Sequence, residues 1–509
     1  MSTKVDASTG VDAPTSGAGL RKDALNIWEI VFFALAASGP VFVVSGVAWT
    51  TYAIGGVGAT LGYIVSGILL LFFVVGFAAM GKYIGNAGAF YAYITAGLGK
   101  LVGVGSALVA LLSYSVMTIG FYGAFAYFAH STFADVFNVN IAWQWWALFG
   151  VVWVAFFGYR NVSLGAWVVA IFLVAEVGIL AALSIATIVR NPGGMSIEPF
   201  KPSNFFVPGV SALLVFGFGG FTGFETTAIY AEETLTPERT IPRATYLVVG
   251  FLAIFYGITV WIASVAFGVG GIMKLALSPS ASDMYFTASE NYLGHWAFIV
   301  MRVLIITSIM ACTMAFHNAV ARYAFSLGRE GLLPKILGRA EAKMKSPYVA
   351  SLTQSGLALV VVILCIVFAA DPYLKLFVWT YSVGVVGLVL CYCLTAVSVI
   401  AFFWRDRRGH NVLQVLIVPL IGALGLGLSL YLILANFNLL SGYTGAVNLA
   451  FILPVPVVFL IGVIFAYRIK TTQPARYDLL AENMVGVNVC AFDEVEECET
   501  APVTTTANP

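Results

Sequence analysis

Four glycines and an acid in the middle of the chain have types and spacing suited to ligand binding. Gly217, Gly219, Gly220 and Gly223 lie in a long apolar run, and Glu225 follows them. Glycine weakens a helix interior, and a carboxylate in hydrocarbon is costly. A membrane helix that contains both is expected to break there and turn backbone groups toward a ligand. The alternative is a helix-packing motif, since Gly219 and Gly223 are four residues apart.

A second interruption lies in the middle of the first long apolar run, at Ala37-Ser38-Gly39-Pro40. Proline lacks the backbone donor and clashes with the preceding helical turn. Interrupted helices at matching places in two halves of a chain are typical of an inverted repeat with a binding site at the breaks. We therefore expect the two breaks to meet, unless Pro40 only kinks its helix.

The composition predicts an all-α integral membrane protein. Of the 509 residues, 60% are hydrophobic and 10% are charged, whereas soluble proteins carry about 25% charged residues. The net charge of +1 does not indicate nucleic acid or another polyanion as a partner. The six cysteines and four histidines show neither zinc spacing nor a nucleophile–base pair, so we expect no enzyme, no cofactor and no bound metal.

Twelve apolar runs are long enough to cross a bilayer as helices, which takes about 20 residues each. They cover 27–52, 57–81, 101–129, 141–158, 165–189, 206–232, 244–270, 296–327, 349–370, 376–403, 413–435 and 449–469. With the N-terminus inside, most of the 25 Lys and Arg residues lie in cytoplasmic segments, as the positive-inside rule requires. We predict a multi-pass protein of the cytoplasmic membrane with both termini in the cytoplasm.

These runs divide the chain into four parts. Residues 27–403 hold the first ten spans, and residues 404–470 hold the last two with their loops. Residues 1–26 and 471–509 are polar tails, which we predict to be cytoplasmic and disordered.

Several segments together resemble the amino acid–polyamine–organocation transporter family, of the bacterial amino acid permease type. The resemblance covers roughly residues 25–470 and rests on Ala37-Ser38-Gly39, residues 85–93, Gly223-Phe224-Glu225, Ala231-Glu232-Glu233, residues 237–243 and residues 322–334. It implies a LeuT-like core, in which spans 1–5 and 6–10 form a 5+5 inverted repeat with broken helices 1 and 6. It also implies secondary active transport, with import of an amino acid by proton symport as the expected function.

Two alternatives to that function stay open. The substrate could be an organic amine such as a polyamine, ethanolamine or a choline-like cation, or the protein could exchange two solutes. A sensor with the same fold is a further alternative, because fold does not determine function. The oligomeric state is not indicated.

The resemblance also assigns the substrate contacts. An amino acid carboxylate would meet Ser38 and the N–H of Gly39. The ammonium would meet the carbonyls of Leu35, Gly219 and Thr222. Free N–H groups at a helix start attract anions, and free carbonyls at a helix end accept cations.

This sequence departs from the family at Gly219, where many relatives carry a large aromatic residue over the substrate. We expect a roomier pocket, or a lid supplied by Phe216 or Phe218, which lie in the same segment as Phe221. The alternative is that Phe216 and Phe218 face lipid.

Two acids inside the apolar runs are candidates for proton coupling. Glu176 stands at about the position where some proton-coupled relatives carry a lysine, and Glu225 follows the second break. Acids within membrane helices are often proton carriers, but both could also be structural acids paired with neighbouring polar groups. Sodium coupling through Thr307, Ser308 and Thr313 is the other possibility, unless these hydroxyls bond back to their own helix.

Overall fold

The structure is a computed structural model that describes residues 26–84, 89–160, 166–229, 234, 236–339 and 347–480. These residues form helices joined by turns and loops. The α-helices are α1 (Ile27–Ser38), α2 (Ala48–Gly55), α3 (Ala59–Gly81), α4 (Ala89–Leu98), α5 (Lys100–Phe137), α6 (Trp143–Tyr159), α7 (Ala166–Arg190), α8 (Val210–Phe221), α9 (Thr226–Ile229), α10 (Pro237–Phe267), α11 (Val269–Ala276), α12 (Met284–Leu293), α13 (His295–Arg329), α14 (Tyr348–Val367), α15 (Val378–Arg405), α16 (Val418–Ala435), α17 (Asn438–Ser441), α18 (Gly445–Ile452), α19 (Pro454–Thr472) and α20 (Pro474–Leu479). The π-helical turns Phe42–Val47, Pro372–Phe377 and Leu413–Ile417 lead into α2, α15 and α16.

Nine stretches within the described residues are long and apolar enough to cross a membrane. They are Ile27–Gly81, Lys100–Phe137, Val169–Arg190, Arg239–Phe267, His295–Arg329, Tyr348–Val367, Pro372–Arg405, Leu413–Ala435 and Pro454–Thr472. The first stretch joins the predicted runs 27–52 and 57–81. The run 141–158 corresponds to α6, which has only 17 residues, and the run 206–232 is divided between α8 and α9. The count of twelve spans therefore stays a prediction.

The start of α1 is fixed by its own sequence. The Asn26 side chain accepts hydrogen bonds from the N–H groups of Trp28 (2.9 Å) and Glu29 (3.1 Å). The Glu29 carboxylate in turn accepts the N–H of Asn26 at 2.8 Å. This reciprocal capping box satisfies donors that a helix start otherwise leaves free.

Close packing of α3 and α8 depends on glycine. A Cβ atom on Gly217 would lie 2.5 Å from the Ser66 hydroxyl and 2.6 Å from the Gly62 carbonyl oxygen. A Cβ atom on Gly62 would lie 2.6 Å from the carbonyl oxygen of Leu213. Small residues allow membrane helices to approach this closely. Gly217 therefore serves helix packing, and α8 stays helical past it.

The C-terminal segment differs from the prediction of a disordered tail from residue 471. α19 continues to Thr472, and α20 follows it. Lys100 Nζ donates to the carbonyls of Tyr477 (3.2 Å) and Asp478 (2.5 Å), and Arg476 donates to the carbonyl of Gly331 at 2.7 Å. These bonds satisfy backbone oxygens and hold residues 474–480 against the helices. Residues 481–509 and 1–25 of the predicted tails lie outside the described residues.

Candidate functional site

The first break is centred on Gly39. α1 ends at Ser38, and Gly39 has φ 57° and ψ 74°, a left-handed conformation that glycine adopts without penalty. The chain resumes a helical path at Pro40, where a missing N–H is no loss because the first turn of a helix has free donors. The predicted interruption at residues 37–40 is confirmed.

Glu176 of α7 caps the helical segment that follows this break. Its Oε2 accepts the N–H of Val41 at 3.1 Å and the hydroxyl of Ser308 at 2.8 Å. The Ser308 oxygen also accepts the N–H of Phe42 at 3.4 Å. Glu176 is 5% exposed. A carboxylate of the protein therefore lies at a helix start, the position that favours negative charge.

The same break leaves carbonyl oxygens without their usual helical donors. The Gly39 N–H bonds to the carbonyl of Ala36 at 3.2 Å, and the next two N–H groups point to Glu176 and Ser308. In an unbroken helix these N–H groups would bond to the carbonyls four residues earlier. The carbonyls left without that donor are those of Leu35, Ala37 and Ser38. Unpaired carbonyls at the end of a half-helix can accept a cation.

The second break lies after α8. The chain turns through residues 222–225 before α9 begins, and Gly223 has φ 110°. The Gly219 carbonyl accepts both the N–H of Thr222 at 3.2 Å and its hydroxyl at 2.6 Å. The break is confirmed, but it is made at Gly223 rather than at the earlier glycines, which stay inside the helix.

Glu225 anchors this second break. The fully buried carboxylate accepts the N–H of Gly223 at 3.0 Å and the Tyr114 hydroxyl at 2.7 Å. The Tyr392 hydroxyl lies 3.5 Å from the same carboxylate. The structural alternative for Glu225 is therefore observed, with α5 and α15 supplying its partners.

The two breaks touch each other. A Cβ atom on Gly223 would lie 3.1 Å from the carbonyl carbon and Cβ of Ala37 and 3.2 Å from the nitrogen of Ser38. The Ser38 hydroxyl itself donates to the carbonyl of Ala34 at 3.1 Å. The predicted meeting of the breaks is confirmed, although residues 37 and 223 are far apart in sequence.

The phenylalanines of α8 are inside the protein. Phe216, Phe218 and Phe221 are 0% exposed, so the alternative that Phe216 and Phe218 face lipid is wrong. Phe216 stacks on Tyr381 of α15, with ring centroids 6.1 Å apart and planes at 18°. Phe221 instead packs edge-on against Tyr256 at 5.7 Å.

The space beside Gly219 is filled rather than open. A Cβ atom on Gly219 would lie 2.5 Å from Cζ and 2.6 Å from Cε1 of Tyr381. The expectation of a roomier pocket does not hold for this conformation. Tyr381 was not predicted from the sequence, where the available signal was a phenol near the start of the apolar run 376–403.

Residues 29–476 match the family model described as amino acid permease. The chain belongs to this family. The match covers both breaks, Glu176 and Tyr381.

Curated relatives agree with this assignment. The permease is 23% identical to the branched-chain amino acid permease BcaP of Bacillus subtilis over 358 residues, which is 67% of this chain and 74% of BcaP. It is 24% identical to the low-affinity putrescine importer PlaP of Escherichia coli over 396 residues, covering 70% and 83% of the two chains. It is 25% identical to the mouse Asc-type amino acid transporter 1 over 368 residues, covering 68% and 64%. The permease is a multi-pass membrane transporter and not an enzyme.

The hydroxyls proposed for sodium binding are already engaged in the permease. Thr307 donates to the carbonyl of Leu304 at 3.0 Å and Thr313 to that of Ile309 at 2.6 Å. Both bonds return to their own helix, as the alternative interpretation stated, whereas the Ser308 hydroxyl donates to Glu176 on α7. Within the part of the chain that the structure describes, no group of three His, Cys, Asp or Glu residues could hold a metal ion.

A separate polar cluster surrounds Arg302 of α13. This side chain is 2% exposed and contacts the carboxylates of Asp135 and Asp283, each at 2.7 Å. It also donates to the Ser131 hydroxyl at 3.0 Å. Burial raises the pKa of the Asp283 carboxyl, and the adjacent guanidinium opposes that shift. The cluster ties α5 and α13 to the connection before α12.

Proposed function

We propose that the permease is a secondary active transporter that moves a molecule with a protonated amine across the cytoplasmic membrane by alternating access. The contact between the two backbone breaks supports this proposal most strongly. Broken helices that meet inside the bilayer are where such carriers hold their substrates. An ion channel would not need two matched breaks.

The proposed architecture has twelve membrane spans with both termini in the cytoplasm. Its first ten spans form the 5+5 inverted repeat of the LeuT-like fold. The breaks at Gly39 and Gly223 fall in the first and sixth predicted spans, so they are five spans apart, as such a repeat requires.

The proposed ammonium site is made of backbone oxygens at the two breaks. The carbonyls of Leu35, Ala37 and Ser38 lack their helical donors. The Gly219 carbonyl has two lone pairs, and Thr222 occupies both. Gly219 therefore becomes an acceptor only when Thr222 turns away.

An amino acid is the first candidate substrate, supported by the family and by the relatives named as amino acid permeases or transporters. Its carboxylate would bind at Ser38 and Gly39. In the present conformation the Ser38 hydroxyl donates to Ala34 and the Gly39 N–H to Ala36. We therefore propose that an amino acid displaces these two weak local bonds as it binds.

An organic amine is the second candidate, and the position of Glu176 favours it. Glu176 and Ser308 occupy the N–H groups of Val41 and Phe42, which leaves fewer backbone donors for a substrate carboxylate. An amine without a carboxylate needs none of them. One relative is named as a putrescine importer.

Proton symport is the coupling we propose, with Glu176 as the group that takes up the proton. Its carboxylate connects the helix after the first break with α7 and α13. Protonation would weaken both hydrogen bonds, because bonds to charged groups are the stronger ones. Protonation of Glu176 would thereby loosen the helical segment after the first break, which must move during transport.

Counterflow in sealed liposomes tests the carrier proposal. Purified permease is reconstituted with unlabelled leucine or putrescine inside, and entry of the same labelled compound is followed. A carrier accumulates label transiently above equilibrium, whereas a channel or a sensor does not. Empty liposomes and liposomes loaded with sucrose are the controls. No counterflow with amino acids or with amines would contradict the proposal.

A further inference from the structure

Tyr381 lies beside the second broken helix, next to Gly219, although it belongs to neither broken helix. It is the fourth residue of α15, the helix that directly follows the π-helical turn Pro372–Phe377. The residue is 2% exposed. Its ring overlaps the place where a Cβ atom of Gly219 would stand. The ring therefore takes the volume that a side chain at position 219 would otherwise fill.

The ring also connects the two breaks through aromatic contacts. It stacks on Phe216 of α8 at 6.1 Å and contacts Phe377 at 4.9 Å and Phe121 at 6.1 Å. Phe42, which follows the first break, contacts Phe377 at 5.5 Å and Phe121 at 5.6 Å. Tyr381 therefore shares two aromatic neighbours, Phe377 and Phe121, with the residue that follows the first break.

Within the described part of the chain, the Tyr381 hydroxyl lacks the kind of partner that two other buried phenols have, as do the hydroxyls of Tyr63 and Tyr256. Tyr114 donates to Glu225 at 2.7 Å and Tyr373 to the carbonyl of Gly46 at 2.5 Å. Among the described residues, Tyr381 has no hydrogen-bond partner for its hydroxyl. A phenol hydroxyl without a protein partner is able both to donate and to accept a hydrogen bond, so a ligand beside it can complete the bond.

We propose that Tyr381 is a substrate-contacting residue that sets the size limit of the site and binds a polar group of the substrate. This inference rests on the proposed carrier function and names a residue that acts in it. The ring closes the site on the side where Gly219 leaves space. The hydroxyl accepts from the substrate ammonium or donates to a substrate oxygen.

The hydroxyl is tested by Tyr381→Phe, which keeps the ring. Counterflow is measured with alanine, leucine, phenylalanine and putrescine as probes. We expect KM for the transported probe to rise about tenfold, the effect of losing one hydrogen bond to a charged group, with the maximal rate nearly unchanged. Tyr256→Phe is the matched control, because its buried hydroxyl also lacks a partner and its ring packs on Phe221. We expect no change in KM for that control.

The ring is tested by moving it to the other helix. Tyr381→Gly should extend transport to larger side groups, and Gly219→Tyr should stop transport because the new side chain collides with Tyr381. The double variant Gly219→Tyr/Tyr381→Gly returns a ring to the same volume and should recover at least a third of wild-type counterflow. Size-exclusion chromatography verifies that each variant is folded.

The outcomes separate the two proposals. Wild-type counterflow together with an unchanged KM in Tyr381→Phe and no recovery in the double variant would overturn the role of Tyr381 alone. Absence of wild-type counterflow with every probe would overturn the carrier function and, with it, this inference.

Discussion

Replacing Gly223 with alanine would test whether the contact between the breaks controls the permease. At φ 110° an L-residue is strained by about 1–3 kcal/mol. The new Cβ atom would also lie 3.1 Å from the carbonyl carbon of Ala37 and 3.2 Å from the nitrogen of Ser38. Overpacking of this kind adds about 1–3 kcal/mol. The conformation with the breaks in contact should thus lose about 2 kcal/mol or more, which lowers its equilibrium constant relative to other conformations about 30-fold.

Two assays report this loss. Thermal unfolding in detergent should show a Tm lower by a few degrees, and substrate affinity should fall because the carbonyls of both breaks no longer converge. Gly250→Ala is the matched control, since a Cβ atom there meets nothing within 4 Å and alanine favours a helix over glycine. If Gly223→Ala matched Gly250→Ala in both Tm and KM, the reasoning about the contact would be refuted.

Three further predictions concern charged groups. The Glu176→Gln variant should still show counterflow but should no longer concentrate substrate when an inward proton gradient is imposed. Substrate accumulation equal to that of the wild type, or accumulation that follows a sodium gradient alone, would contradict proton coupling through Glu176. Glu225→Ala should destabilise the protein more than Glu225→Gln, because alanine leaves the Gly223 N–H and the Tyr114 hydroxyl without a partner. Each unpaired group costs about 1–3 kcal/mol, and equal Tm values for the two variants would argue against Glu225 as the anchor of the break. Arg302→Met should lower the free energy of unfolding by about 1–2 kcal/mol, less than the loss of one partner of a fully buried pair. The loss is small because the two carboxylate partners of Arg302 are 44% and 37% exposed and water can solvate them. Thermal unfolding measures the change, and an unchanged Tm would show that the Arg302 cluster adds no stability.

Much of the fold could be predicted from local patterns. Apolar runs mark membrane helices because the bilayer requires about 20 apolar residues for each span. The helices that follow the predicted runs closely are α3, α7, α13 and α15. The first break could be predicted because Pro40 and Gly39 change the backbone conformation at their own positions. The second was located to within a few residues by Gly223 and Glu225.

The functions of the individual glycines could not be predicted from the sequence. Three glycines of this segment have the same chemistry but different neighbours. Gly217 faces Ser66 on α3, Gly219 faces Tyr381 on α15, and Gly223 faces Ala37 on α1. These neighbours are distant in the chain, so no local pattern distinguishes a packing glycine from a breaking one.

Local sequence patterns are enough to identify a many-helix membrane transporter of the amino acid permease family with two interrupted helices, because hydrophobic length and helix-breaking residues act locally. The folded arrangement of the helices sets which groups meet the breaks. It brought Glu176 to the N–H of Val41, Glu225 to the N–H of Gly223, and Tyr381 to the space beside Gly219. Side-chain packing between distant helices sets such contacts, and a linear pattern does not encode which helix faces which.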